Sequence, residues 1–322
     1  MSKYFSLYSF SIPIRGKDHA VICDLQNSSY TDIPLFLFEL LEQYPELSLK
    51  ELEELYNDKG HYIFKYLTLL EKRNIGRFSL LPNEFCKINL TWKKAEQIRT
   101  AVIDVADQQK INYLDLFDQL NDLNCRNIEM RFFRPVNQHF LEEILLHTKT
   151  SKIRTIDFIL PFDAGQIDIK KYRKNTQQYK KLCHTIFYGT DLKISYKDDC
   201  IFSSPKNLSS AAAFEDVAED QYIINTSFFS EAQKFNTYYN AKVCIDVDGN
   251  LKNCSSHTNH FGSIREAKLK DLIDQPDFKR FWNISNDQIL GIQDSALRYI
   301  WMNTHDLEQV DDTLYKMKYV QK

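Results

Sequence analysis

Three short runs indicate the fold class: residues 98–105 (IRTAVIDV), 127–133 (NIEMRFF) and 153–160 (IRTIDFIL). Each run is rich in the β-branched and aromatic residues that favour strands. The segments that follow them carry apolar residues at helical spacing, namely residues 113–123, 138–148 and 169–182. Because strands that alternate with helices form parallel, right-handed βαβ units, we expect an α/β fold with a central sheet or partial (β/α) barrel.

The alternation continues after the third predicted helix. Further strands are predicted at residues 184–188, 200–202 and 222–225. The stretch 207–220 is polar and alanine-rich, and it is predicted to be a loop or a short helix. These segments together assign residues 88–235 to the partial barrel.

Residues 1–87 are predicted to form a winged-helix-like module. Its expected elements are a hairpin (19–24 and 30–33), three helices (35–41, 48–56 and 60–72) and a closing strand (75–80). The second helix opens with Ser48 and Glu51, which have the spacing of a capping box. This module is the first candidate for a binding function.

Tyr30 in the hairpin and Tyr62, Tyr66 and Leu69 on the third helix are the candidate peptide-binding residues. The edge strand of such a module can accept an extended peptide by β-augmentation, and these side chains would line the groove beside it. The alternative is that the helical residues belong to the hydrophobic core, which their spacing also permits.

Residues 236–322 are predicted to form a third region. It begins with a hairpin at 241–254, in which Asp248-Gly249 indicates a two-residue turn, and a helix is expected at 264–273. Folding about that turn would bring Cys244 and Cys254 to nearly facing positions.

Cys244, Cys254, His257 and His260 are the candidate metal ligands, spaced C-x9-C-x2-H-x2-H. Two thiolates and two imidazoles suit a tetrahedral zinc site, although the gaps before the histidines are tighter than in a zinc finger. The alternative is one core thiol, one turn thiol and two solvent-facing histidines in a polar loop.

Composition and charge exclude several classes of protein. The net charge of −3 gives no basic surface for bulk nucleic-acid binding. Without a spanning apolar stretch or a signal peptide, the protein is expected to be cytoplasmic. The scattered cysteines argue against a secreted disulfide scaffold. Five of them are expected to be buried apolar thiols: Cys23, Cys86, Cys125, Cys183 and Cys200.

The sequence contains no recognisable catalytic motif. A Gly-rich phosphate loop and a GxSxG nucleophile motif are both missing. Four carboxylates, Asp104, Glu129, Asp157 and Asp163, fall at the ends of predicted strands, where α/β folds place their sites. No base or nucleophile pairing singles out any one of them.

Several stretches in order resemble the grasp-with-spasm peptide maturases and their SPASM domain. They are residues 241–262, 278–289, Asp294 and 298–300 in the C-terminal region, residues 12–16, 21–25 and 33–34 near the N terminus, and residues 123–125 and 130–133 between them. The resemblance implies a partial barrel of radical-SAM type between a peptide-recognition module and a SPASM-like hairpin and helix. It also implies a ribosomally made precursor peptide and an ATP-grasp ligase as partners.

The sequence departs from this family in its cysteines. SPASM domains bind auxiliary iron–sulfur clusters through thiolates, but only Cys254 remains at the family's ligand positions. The other positions fall on Tyr238, Ile292, Ser295, Trp301, Thr304 and close to Tyr319. The radical SAM CxxxCxxC would fall near residues 105–113, which contain no cysteine. A single thiolate cannot hold a four-iron cluster.

The resemblance and the missing thiolates together predict a degenerate, cluster-free pseudoenzyme. It would bind the precursor peptide and assist the ligase without radical chemistry, and no cofactor is expected. The alternative is a metal-dependent peptide-modifying enzyme that uses Cys244, Cys254, His257 and His260, or a retained iron–sulfur cluster.

Overall fold

The computed structural model describes residues 3–56, 60–94, 96–214 and 221–318. The chain divides into two compact units. The first unit contains the described residues up to Trp92 together with residues 221–237 and 284–318, and the second contains those of 93–214 and 238–283. Residues 236–322 are thus divided between both units. The division into three functional modules, at residues 1–87, 88–235 and 236–322, stays a prediction.

Strands and helices alternate along much of the chain. The strands are β1 (Tyr4–Leu7), β2 (Ser11–Arg15), β3 (Ala20–Asp24), β4 (Ser29–Ile33), β5 (Gly76–Ser79), β6 (Thr100–Val105), β7 (Asn127–Phe132), β8 (Thr155–Pro161), β9 (Leu182–Tyr188), β10 (Ser195–Tyr196), β11 (Ile201–Ser204), β12 (Lys242–Ile245), β13 (Leu251–Lys252), β14 (Leu307–Gln309) and β15 (Tyr315–Met317). The helices are α1 (Leu35–Gln43), α2 (Leu49–Tyr56), α3 (Gly60–Lys72), α4 (Tyr113–Asp122), α5 (Gln138–Thr148), α6 (Ile169–Thr176), α7 (Thr226–Ala232), α8 (Leu269–Ile273) and α9 (Pro276–Lys279).

The first unit is built around an antiparallel sheet with the strand order β2-β3-β4. Strand β3 is buried on both faces, because its side chains alternate between two clusters. Ala20 and Ile22 pack with residues of α1 and α3 in one cluster. Val21 and Cys23 pack with Phe229 of α7 and with the segment around Ala296 in the other. The predicted hairpin, three helices and closing strand are all present, and β5 pairs with β1.

The predicted capping box is present at the start of α2. The backbone N–H and the hydroxyl of Ser48 donate to Glu51 Oε2 at 2.8 and 2.6 Å, and the backbone N–H of Glu51 donates to Ser48 Oγ at 3.4 Å. These hydrogen bonds from Ser48 hold the pKa of Glu51 below its ordinary value. The box therefore satisfies backbone groups that the first turn of a helix leaves unpaired.

Replacing Ser48 with alanine is expected to lower the free energy of unfolding by about 1 kcal/mol, because α2 loses its cap. Urea unfolding followed by circular dichroism measures this change. Glu53→Gln, at an exposed position of the same helix, is the matched control and should leave stability unchanged. Equal stability of the two variants would show that the capping box contributes nothing.

The second unit is a mixed α/β unit with an eight-stranded sheet in the order β10-β11-β9-β8-β7-β6-β12-β13. The six inner strands are parallel to one another, and the two edge strands β10 and β13 pair antiparallel with β11 and β12. Helices α4, α5 and α6 pack on one face through the largest hydrophobic cluster. A mostly parallel sheet with helices on one face is consistent with the expected partial barrel.

Two predicted helices are wrong in extent, and one predicted strand does not form. The helix predicted over 169–182 ends at Thr176, because Leu182 begins β9 and pairs with Ile156 of β8. Residues 222–225 are not a strand, since Asn225 caps α7 by accepting from the N–H of Phe228 at 2.9 Å. The helix predicted from residue 264 begins only at Leu269.

The hairpin predicted at 241–254 forms, but its turn differs. The last pair of the ladder is Ile245 with Leu251, so five residues connect the strands instead of two. Asp246 Oδ1 accepts from the backbone N–H groups of Asp248 and Asn250, each at 2.9 Å, and this side chain shapes the longer loop. Gly249 adopts a φ of +85°, which glycine tolerates best. The predicted two-residue turn is therefore wrong.

Candidate functional site

The outer edge of β4 is the first candidate site. Strand β4 pairs with β3 from Ala20–Ile33 to Asp24–Ser29, and no other described strand pairs with it. An edge strand presents backbone N–H and C=O groups that another extended chain can use. Such edges are often protected by lysine, proline or a bulge, and β4 (SYTDI) has none of these.

The end of α3 lies beside this edge. Arg73, which directly follows α3, donates from Nη1 to Thr31 Oγ1 of β4 at 3.4 Å. Thr31 shares a face of the sheet with Ile33, which packs in the cluster of the helices. Tyr30 and Asp32 therefore point to the opposite face.

The predicted binding residues of α3 are largely outside the core. Tyr62 and Leu69 are 59% and 41% exposed, and Tyr30 of β4 is 39% exposed. Tyr66 is half-buried and makes an edge-to-face contact with Phe36 at 5.6 Å between ring centroids. Tyr62 and Leu69 are thus not core residues, which removes the alternative interpretation for these two. Positions 62, 66, 69 and 73 form one stripe along the helix, since they are spaced by four, three and four.

The candidate zinc ligands have other contacts. Cys244 Sγ is buried and lies 3.5 Å from the carbonyl oxygen of Asn253. Cys254 Sγ lies 3.7 Å from the hydroxyl of Tyr238. His257 Nε2 lies 3.4 Å from the hydroxyl of Tyr239, and the exposed His260 accepts from the N–H of Gly262.

These four residues do not form a metal site in the structure. In the described parts of the chain, no group of three or more His, Cys, Asp or Glu side chains is placed to hold a metal ion. Burial raises the pKa of the Cys244 thiol to about 12, so this group is protonated when no metal is bound. Zinc binding by this set stays a prediction.

The positions expected to hold an auxiliary cluster do not fit one either. Tyr238 contacts Cys254, Ile292 is 2% exposed, and Trp301 forms a backbone bridge with Tyr222. Ser295 Oγ accepts from the N–H of Leu297 at 3.1 Å. Tyr319 lies outside the described residues. None of the replacing side chains supplies the thiolate that iron–sulfur clusters require.

The second candidate site is a buried carboxylate on the face of the parallel sheet opposite α4, α5 and α6. Asp104 of β6 is 1% exposed and lies in register with Arg131 of β7. None of the described residues offers a hydrogen-bond partner to its Oδ1 atom. Burial raises the pKa of Asp104 to about 6, while Arg131 and the Ser255 hydroxyl counteract this rise. Groups perturbed in this way are common at functional sites.

This face of the sheet is unusually polar. Parallel sheets are normally apolar on both faces. Here Glu129 Oε1 accepts from Arg131 Nε at 2.5 Å. Asp157 Oδ1 lies 2.7 Å from Nδ1 of His184 on the next strand. The other predicted carboxylate, Asp163, follows β8, and its Oδ1 accepts from the N–H of Gly165. The sequence did not indicate Arg131 or His184, although period-two alternation along β7 and β9 would place both on this face.

The cysteine prediction is confirmed only in part. Cys23 and Cys125 are buried, and burial raises the pKa of each to about 12. Cys183 and Cys200 are half-buried. Cys86 is exposed, so its prediction as a buried thiol is wrong. All seven cysteines lie within the described residues, and none forms a disulfide.

No protein-family model matches the chain, and the comparison with curated proteins gives no match. Three crystal structures of SuiB from Streptococcus suis are similar to it. The form bound to S-adenosylmethionine is 12% identical, with a TM-score of 0.40 over 92% of this chain and 94% of that one. A second SuiB structure is 11% identical, with a TM-score of 0.37 over the same shares. The form bound to precursor peptide SuiA is 10% identical, with a TM-score of 0.30 over 86% and 90%.

No helix in the described residues combines the length and the apolar composition of a membrane span.

Proposed function

We propose that this protein binds an extended segment of a ribosomally made precursor peptide along the edge of β4 and assists an ATP-grasp ligase. The observation that carries the proposal is a strand that pairs on one side only among the described strands. Arg73 connects this strand to the end of α3, a helix with exposed aromatic and aliphatic side chains. An added strand would satisfy the open backbone groups of β4, while Tyr62, Tyr66 and Leu69 would contact its side chains.

The proposed role includes no radical chemistry. The segment that follows β6, residues 106–112, contains no cysteine, so the three thiolates that would hold a catalytic cluster are missing there. Ile292, Ser295, Trp301 and Thr304 replace the auxiliary ligands. Hydrophobic packing stabilises this region, since Ala296 and Ile300 are fully buried against the sheet of the first unit. A domain that has lost its metal needs such contacts.

The proposal that an ATP-grasp ligase is the partner rests on the family resemblance of the sequence. In that family, the protein with the SPASM domain is expected to engage the precursor, and the ligase links its side chains. A bound extended peptide would keep its remaining residues accessible to a second protein, since β-augmentation uses only one segment. The protein would therefore act as a peptide-presenting partner, a cluster-free pseudoenzyme.

Peptide binding can be measured by titrating the full-length protein against labelled, overlapping 15-residue segments of the short open reading frames beside its gene. We expect one segment to bind in the micromolar range and its scrambled version to bind much more weakly. Fluorescence anisotropy gives the affinity. Absence of binding to every segment would overturn the proposed function.

Metal analysis separates the proposal from the metal-dependent alternative. After anaerobic incubation with iron and sulfide, or with zinc, followed by desalting, the protein is expected to stay colourless and to hold metal only substoichiometrically. Cys254→Ala is the matched control, because it removes the thiolate shared by both proposed ligand sets. One zinc ion or one cluster per chain that Cys254→Ala abolishes would favour the alternative.

A further inference from the structure

We propose that the peptide strand on β4 is recognised on both of its faces, by Arg73 at the end of α3 on one face and by Tyr30 with Tyr222 on the other. This inference rests on the proposed function. It commits to an occupant of defined chemistry, which is an extended segment with an acidic residue directly beside an aromatic or aliphatic one.

The face towards α3 is basic. Arg73 is exposed and reaches Thr31 of β4, and Lys65 and Lys72 are exposed on α3. Lys65 lies over the ring of Tyr62, with 5.9 Å between Nζ and the ring centroid. Because the net charge of the whole chain is negative, these cations are a local feature. Charge complementarity therefore favours an acidic peptide at this edge.

The position of Arg73 fixes where an acidic residue would lie. Arg73 reaches Thr31 Oγ1, which is on the helix-facing side of β4. In a sheet extended by one strand, the residue opposite Thr31 would have its Cβ about 5 Å away on the same face. A glutamate or aspartate there meets the guanidinium directly.

The opposite face carries a tyrosine pair. The rings of Tyr30 and Tyr222 lie 6.2 Å apart at 57°, and Tyr222 is 44% exposed. Residues 221–224 are anchored, since the N–H of Ile223 donates to the carbonyl of Ile300 at 2.7 Å and that of Met302 donates to the carbonyl of Gln221 at 3.2 Å. Tyr222 is thus held beside the edge strand by backbone contacts.

The alternation of a strand connects the two faces. Successive side chains point to opposite sides, so a residue opposite Tyr30 is the direct neighbour of the residue opposite Thr31. An aromatic or aliphatic side chain opposite Tyr30 would pack against both tyrosine rings. The expected signature is therefore an acidic residue adjacent to an aromatic or aliphatic one.

Two labelled, end-blocked nonapeptides test this signature with the full-length protein. In one, tyrosine and valine alternate with glutamate, and in the other the same residues alternate with lysine. We expect the glutamate peptide to bind at least tenfold more tightly, because the lysines of the other peptide would face the guanidinium of Arg73. Equal affinities for both peptides would overturn the acidic preference.

Three variants separate this inference from the proposed function. Arg73→Glu should reduce or reverse the preference for the glutamate peptide. Tyr222→Ala should lower the affinity for that peptide about tenfold. Tyr222→Phe is the matched control and should bind like the unmodified protein, since it keeps the ring. If genuine precursor segments bind but neither Arg73→Glu nor Tyr222→Ala changes their affinity, the inference fails while the proposed function stands. If no segment binds, the proposed function itself fails.

Discussion

A chain that carries both Tyr62→Glu and Leu69→Glu is expected to lose affinity for its peptide by about 100-fold or more. Both side chains are exposed on α3, so the change removes apolar surface against which we propose that the peptide packs. It also places two negative charges where we expect an acidic strand to lie. Fluorescence anisotropy with the best precursor segment measures the effect.

The fold should survive this double substitution. Glutamate is a good helix former, and neither position is buried, so the free energy of unfolding should change by less than about 1 kcal/mol. Leu146→Glu is the matched control, because Leu146 is 62% exposed on α5, in the second unit. It should leave peptide affinity unchanged. Retained affinity in a folded Tyr62→Glu, Leu69→Glu protein would place the peptide elsewhere.

The elements of the fold could be predicted where local signals and tertiary contacts agree. The alternation that indicated β6, α4, β7, α5 and β8 is strong, because each element has its own periodicity and its own capping residue or turn. Asn112 and Asn137, for example, accept from backbone N–H groups at the starts of α4 and α5. The predictions were wrong where pairing overrides periodicity, as at Leu182, which begins a strand beside β8.

The sequence predicted the residues of the candidate site only in part. Tyr30, Tyr62, Tyr66 and Leu69 could be selected because they lie in one short module with recognisable elements. Their exposure could not be predicted, since helical spacing alone does not distinguish a core stripe from a groove. The contact between Tyr30 and Tyr222 depends on the pairing of residues 221–223 with residues 300–302. No local pattern in the sequence encodes such a long-range pairing.

The protonation of Asp104 could not be predicted from the sequence either. The sequence places it near the end of a strand, but its protonation depends on neighbours from β7 and from the segment after β13. A buried carboxyl group without a full set of partners destabilises a folded protein when it is charged. Its presence at the carboxyl end of a parallel strand, on a polar face of the sheet, therefore suggests a role other than stability.

Replacing Asp104 with asparagine is expected to raise the free energy of unfolding at pH 7.5 by about 3 kcal/mol. The pKa of Asp104 is raised from its ordinary value of 3.8 to about 6, chiefly by burial. The folded state therefore binds the proton more tightly than the unfolded state does. Stability from this group is full below about pH 4 and falls as the pH rises to about 6. Asparagine, which stays neutral, avoids that loss.

The pH dependence is the decisive measurement, because it distinguishes a charge effect from a change in packing. Urea unfolding of both proteins should give a difference near zero at pH 4 and the full difference above pH 7. Glu129→Gln is the control, and it should change the free energy of unfolding in the opposite direction. It weakens the hydrogen bond to the guanidinium of the poorly exposed Arg131, so it should destabilise the fold. An Asp104→Asn protein that is less stable at pH 7.5 would show that the Asp104 carboxylate is instead held by Arg131 as a favourable ion pair.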